Sequence, residues 1–231
     1  MIDSNDNISL EDNIVNYIFD SIFTKRLHPG IKLSESVLAK EFDASRDVVR
    51  KAFSQLQSMG ILKYTKNQGF HVVWLTEQDT KDIYSARKVI EMGIVRILAE
   101  KHARGELDLS TLNKDIETEK YLKVSLKNGE YVKTSCDFHL NLALYCENDF
   151  LENALKPLIP LSILAGLIYG DNTTSFCSYD EHDRLVKAIE SNDIEKAKHV
   201  MNHHLDHCIE ALDFGITPKK STTFSYMFDR N

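Results

Sequence analysis

The sequence predicts a mainly α protein: an N-terminal winged helix-turn-helix (three helices plus a β-hairpin wing), followed by an all-α antiparallel helical bundle. Three observations carry that expectation. Two short amphipathic segments, "KLSESVLAKEF" and "SRDVVRKAFSQLQSMG", are separated only by "DA". The run behind them, "ILKYTKNQGFHVVWL", is rich in β-formers around the turn "NQG". From Thr76 to Gly215 apolar residues recur at helical spacing, with no sustained strand alternation. The expected division is 1–75 for the winged helix, 76–216 for the bundle and 217–231 for a C-terminal tail.

Composition fits this division. The 231 residues are 42% hydrophobic and 27% charged, enough apolar material for two modest cores. No stretch reaches about 18 consecutive uncharged apolar residues, and "MIDSNDNISLEDN" is acidic where a signal peptide needs a basic flank. A cytoplasmic protein with no membrane partner is therefore expected. Cys136, Cys146, Cys177 and Cys208 show no CxxC and no regular spacing, which argues for packed thiols over a disulfide framework or a zinc ribbon. The net charge of −7 is unevenly spread: up to Leu75 nine Lys and Arg balance nine Asp and Glu. Within 40–66 the sign turns positive, because Lys40, Arg46, Arg50, Lys51, Lys63 and Lys66 outnumber Glu41, Asp43 and Asp47. A local basic surface is what phosphate contact requires, whatever the sign of the whole chain.

Each N-terminal element has its own signals. Ile14, Ile18, Ile22 and Leu27 fall at roughly helical spacing over 11–27, and "HPG" stops that first helix. Ser34 is a suitable N-cap for a second helix with Val37, Leu38 and Phe42 on one face. Ser45 caps a third, which runs to Met59 before Gly60 and buries Val49, Ala52, Phe53, Leu56 and Met59. Arg46 and Arg50, at i and i+4, lie on a different face near its N-terminal end, the end of a recognition helix that reaches base edges. Asp47 suits the positive end of the helix dipole better than it suits DNA. Strands over 61–66 and 70–75 place Lys66, Asn67, Gln68 and Gly69 at the wing tip.

The stretch "LHPGIKLSESVLAKEFDASRDVVRKAFSQLQSMGILKYTKNQGFHV" resembles the N-terminal domain of GntR-family transcription regulators, through the PG, the SRxxVR and the glycine of the wing. That resemblance implies operator contacts from Ser45, Arg46, Arg50 and the wing tip around Gly69. Ser36 stands where related regulators often carry an arginine.

In the bundle, histidines sort by face. His139 has Ser135, Leu142, Ala143 and Cys146 as helical neighbours, His182 shares a stripe with Leu185, Val186 and Ile189, and His204 with Val200, Met201 and Cys208. All three are expected to point inward. A lone inward histidine is usually a hydrogen-bonded core residue, but three on separate helices suit a metal that satisfies them together. His199, His203 and His207 instead form an i, i+4 series on a polar face, a rival site of the kind a surface helix offers by chance. Arg87 and Glu91, also i and i+4, read as a surface ion pair.

The segments "ARKVIEMGIVRILAEKHA", "FHLNLALYCEND" and "EHDRLVKAIESNDIEKAKHVMNHHL" resemble the FCD ligand-binding domain of FadR-type regulators. The resemblance implies a bundle that binds a small effector, commonly a carboxylate, and a divalent metal (Zn, Ni or Mn) held by His139, His182 and His204. The family's aspartate ligand falls at Ser135, and Asp137 lies about 200° around the helix from the position it would need. Ser135 and Arg87 become candidate effector-binding residues. Without a protein carboxylate, such a site is expected to keep more positive charge for an anionic effector. The whole chain reads as a homodimeric regulator binding palindromic operator DNA under control of that effector. Two alternatives stay open: a sensor without metal whose histidines hydrogen-bond the ligand, and a three-histidine metalloenzyme. The second needs a placed general base, and Asp137 and Glu181 are expected to point off the histidine faces.

Overall fold

The computed structural model describes residues 9–125, 128–170 and 178–215, so the expected tail 217–231 and Cys177 lie outside the described residues. The chain forms two compact units, divided along the sequence between Trp74 and Leu75.

In the first unit α1 (Leu10–Phe23) is capped by Ser9, whose hydroxyl accepts from the Asp12 amide, and buries Ile14, Val15, Ile18, Phe19 and Ile22. The helix ends earlier than its apolar spacing suggests. Lys25 adopts φ 58°, and the amides of Arg26 and Leu27 both turn back to the Ser21 carbonyl at 2.8 Å. Leu27 is still fully buried, but from the loop.

α2 (Glu35–Glu41) and α3 (Arg46–Ser58) begin at Ser34 and Ser45 as the capping chemistry requires. Asp43, at φ 48°, makes the tight turn between them. On α3 the stripe Val49, Ala52, Phe53 and Leu56 is buried against α1 and α2, whereas Val37 of α2 stays 40% exposed. Gly60, at φ 74°, ends α3 in the left-handed conformation that glycine favours.

The wing consists of β2 (Leu62–Thr65) and β3 (Gly69–Val72), paired antiparallel with Thr65 opposite Gly69 and Leu62 opposite Val72. A third strand, β1 (Lys32–Leu33), pairs with the other edge of β3, giving the order β1-β3-β2. Two residues are too few to show alternation, so β1 is not legible in the sequence. Phe70 stacks edge-on against Phe53 with centroids 5.0 Å apart and meets Tyr64 at 5.1 Å, which fixes the wing to α3.

The second unit has seven described helices: α4 (Glu77–Ala103), α5 (Ser110–Val124), α6 (Asn128–Tyr145), α7 (Asp149–Leu155), α8 (Leu158–Tyr169), α9 (Tyr179–Glu190) and α10 (Ile194–Glu210). α4 is nucleated by a reciprocal capping box of Thr76 and Asp79 and packs against α6, α7, α8, α9 and α10. α5 packs on α6 and α9. Asp149–Tyr169 is apolar enough in composition to cross a membrane, but it divides at Lys156 and Pro157, and α8 buries ten of its residues in the bundle. Cys136, Cys146 and Cys208 are buried thiols.

Candidate functional site

On the first unit the predicted recognition residues lie at the N-terminal end of α3 and on the wing tip, all but Gly69 exposed. Ser45 is spent as the α3 cap, its hydroxyl accepting from the Val48 amide at 3.3 Å. Arg46 borders a hollow also lined by Lys32, Ser34, Ser36 and Gly69. Arg50 is exposed and reaches back to α2, where its Nε donates to Glu35 Oε2 at 3.0 Å. Asn67 and Gly69 turn the wing tip with φ of 67° and 88°, leaving Lys66, Asn67 and Gln68 exposed. Lys32 is a basic residue of the hollow beside Arg46 that the sequence did not single out, because β1 brings it there.

On the second unit the three inward histidines converge from α6, α9 and α10. His139, His182 and His204 are each no more than 2% exposed, and each offers a ring nitrogen within 4.8 Å of the other two. Asp137 is outside this group. Phe138 stacks flat on His182, with centroids 4.1 Å apart, and holds that ring in place.

Behind each ring stands a carboxylate. His139 Nδ1 lies 2.5 Å from Glu91 Oε2, His182 Nδ1 lies 2.9 Å from Glu119 Oε1, and His204 Nδ1 lies 2.8 Å from Glu181 Oε2. A carboxylate at Nδ1 fixes the Nδ1–H tautomer and turns the Nε2 lone pair away from it. The lone pairs accordingly meet: His204 Nε2 and His139 Nε2 are 3.2 Å apart. Two such lone pairs repel unless a cation or a proton sits with them.

The charge balance points the same way. Glu91, Glu119 and Glu181 are all buried, and Arg87, 3% exposed, is the buried cation among them. With neutral imidazoles the three carboxylates outweigh Arg87, the exposed Arg184 at 3.9 Å from Glu181 being the other cation beside them, and the negative charges left over are costly to bury uncompensated. A divalent cation held by the three Nε2 atoms would cancel them, so the residues present fit such an ion. The expectation of a carboxylate-free, more positive site is therefore corrected: Ser135 brings no carboxylate, but Glu91, Glu119 and Glu181 stand directly behind the rings.

Two further expectations change. Arg87 and Glu91 are no surface pair. Their side chains are 4% and 1% exposed, Nε donates to Glu91 Oε1 at 2.6 Å, and Arg87 Nη1 donates to Ser162 at 3.2 Å. Glu181, expected to point away from the histidines, meets His204 with one oxygen and His207 with the other. Ser135 is also buried, and its hydroxyl donates to Glu119 Oε2 at 3.0 Å. Glu119 itself had a signal in the sequence: it occupies a core position of the α5 stripe Leu112, Ile116 and Leu122.

In the metal-free protein burial raises the pKa of Glu91, but the Arg87 charge, the charge His139 carries when protonated and the hydrogen bonds from both overcome it and hold it down to about 2. Burial likewise raises that of Glu181, and the hydrogen bonds and charges of His204 and then His207 bring it to about 2. Both values are depressed, so the stabilisation is complete above the ordinary value of about 4.5 and is lost as pH falls from there toward 2. The melting temperature is expected to drop across that window, and Glu91→Gln to melt lower at neutral pH with a shallower acid decline. An equal acid decline in both proteins would contradict the assignment.

A winged-helix unit followed along the chain by a helical bundle with a buried polar cluster is the architecture of a DNA-binding regulator with a sensing domain. The comparisons identify which: residues 10–72 match the bacterial regulatory proteins of the gntR family and residues 82–207 match the FCD domain. The chain belongs to the GntR family, in its FCD-bearing branch, and is a transcription regulator and not an enzyme. It is 29% identical over 204 residues to the HTH-type transcriptional regulator YdhC of Bacillus subtilis, covering 84% of this chain and 90% of that one. It is 28% identical over 180 residues to the gluconate operon transcriptional repressor of the same organism, covering 72% and 70%. Among solved structures, a GntR transcriptional regulator from Rhodococcus sp. RHA1 superposes with a TM-score of 0.72 at 18% identity (87% and 95% covered). Escherichia coli McbR/YncC gives 0.73 at 17% (86% and 94% covered). These last two likenesses concern the fold.

Proposed function

We propose that this regulator is a cytoplasmic homodimeric repressor, with residues 1–75 binding operator DNA and residues 76–216 sensing a small carboxylate-bearing metabolite at a metal held by His139, His182 and His204. The observation that carries the metal is the excess negative charge of Glu91, Glu119 and Glu181 behind three converging Nε2 atoms. The ion, when bound, supplies a Lewis-acidic position for an anionic ligand. Arg87 and Ser135 touch Glu91 and Glu119, so an effector engaging either one acts on the carboxylates that aim the rings. A ligand that binds one arrangement of these helices better shifts the dimer toward it, and thereby the spacing of the two recognition helices. Exposed Val89 and Phe150, at 72% and 89%, are apolar surface that a partner protomer would cover.

A second reading, sensing without metal, is favoured by one distance: His139 and His204 at 3.2 Å can share a proton in place of an ion. Elemental analysis of untagged protein separates the two, since absence of a stoichiometric metal after purification in metal-replete medium removes the first.

For DNA binding the residues are Ser45, Arg46, Arg50 and the tip Lys66, Asn67, Gln68 and Gly69. With an operator selected from random duplex DNA, Arg46→Ala is expected to cost about 1–3 kcal/mol and to relax sequence preference. Arg50→Ala should weaken all sequences alike and lower the salt slope by about one. Both variants binding as the parent does would sink the assignment.

A further inference from the structure

Glu181 has two oxygens, and the buried triad uses one. Oε2 accepts from His204, while Oε1 faces outward to α10, where His207 Nδ1 lies 2.6 Å away and His203 Nδ1 3.8 Å away. His203 and His207 are one helical turn apart, about half exposed, with ring centroids 4.0 Å from each other. The three ligand atoms lie within 4.8 Å of one another. His199, the remaining member of the polar-face series, is outside this group; Glu181, reaching across from α9, takes its place.

We propose that Glu181, His203 and His207 form a second, solvent-facing divalent-metal site that shares its carboxylate with the buried histidine triad. Two imidazoles and one carboxylate are a ligand set for zinc, nickel, cobalt or copper, with water completing the shell. Bonds of about 2.0–2.2 Å put tetrahedral ligand atoms roughly 3.3–3.6 Å apart. The His203 separation is already near that, and His207 must open by under an ångström. Exposed rings on one helix face have room for this rotation. Arg184 Nη2, 3.9 Å from the same oxygen and itself exposed, is the charge a metal would displace. Asp206 of α10 is taken up by Lys88 and Asn202 and does not complete the set.

The consequence is coupling. An ion on Oε1 draws charge from the carboxylate whose Oε2 orients His204, so occupancy outside tunes a ligand of the site inside. The outer site stands on its own residues, whether or not the triad holds metal.

The test is a difference in stoichiometry. Untagged full-length protein, stripped and titrated with cobalt(II), is compared with His203→Gln/His207→Gln by equilibrium dialysis, native mass and visible absorption. Both substitutions are at exposed positions, so the fold is kept, and circular dichroism checks it. The double variant is expected to bind one equivalent fewer than the parent and to lose the part of the cobalt spectrum that goes with it. Equal stoichiometry in the two proteins, at one, two or no equivalents, overturns the proposal. His139→Gln, measured beside them, tests the triad separately: loss of an equivalent there leaves the outer site untouched.

Discussion

Replacing Glu91 by alanine is expected to destabilise the FCD domain by about 3–5 kcal/mol, because it leaves the Arg87 guanidinium buried without its charge partner. The pair is almost wholly shielded from water, with side chains 4% and 1% exposed. Ser162 can accept one of the five guanidinium N–H bonds but no charge. His139 loses its orienting carboxylate in the same substitution. Set against the 5–15 kcal/mol typical of a domain, such a loss leaves little of the fold at 37 °C. Arg87→Met/Glu91→Leu, which removes both charges and keeps the volume, should recover most of it. Urea denaturation followed by circular dichroism measures all three proteins. A cost below about 1 kcal/mol for Glu91→Ala, the range of exposed pairs, would mean that the pair is wet in solution.

The second large effect is metal-linked stability. In the His203→Gln/His207→Gln background, where only the triad is left to count, zinc at a thousand times its dissociation constant should add about 4 kcal/mol to unfolding. His182→Ala in that background should show no zinc dependence. Glu119→Gln keeps all three ligands but removes the carboxylate behind His182, and it should weaken zinc about 10–100-fold. The combination distinguishes an oriented site from three histidines that happen to be near. If Glu119→Gln binds zinc as the parent does, the carboxylate shell plays no part in holding the ion.

The N-terminal domain was readable because its determinants are local. Ser34 and Ser45 cap their helices through side-chain contacts three residues away, Gly60 and Gly69 need positive φ, and the stripe on α3 is a property of one helix. Where a determinant is not local, the sequence does not show it. Leu27 is as buried as its spacing demands, yet the helix stops at Phe23 because Lys25 and the Ser21 carbonyl close it. β1 exists only because β3 has a free edge to pair with.

In the bundle, periodicity put His139, His182 and His204 on inward faces, and that holds since a helix fixes which residues share a side. It could not say which acids met them. Glu91 looked like half of a surface pair because i, i+4 spacing is the same whether the face is wet or dry. Glu181 reads as misdirected because the periodicity of α9 carries no trace of α10, where its partners lie. By itself the sequence determined the capped helices, the wing turn, the inward histidines and the family to which they belong. Only the tertiary structure decided that Glu91, Glu119 and Glu181 stand behind those histidines, that Arg87 is buried with them, and that Glu181 faces His203 and His207 on its other side. A carboxylate's partner across a bundle depends on how three or four helices pack, and no spacing along one helix encodes that.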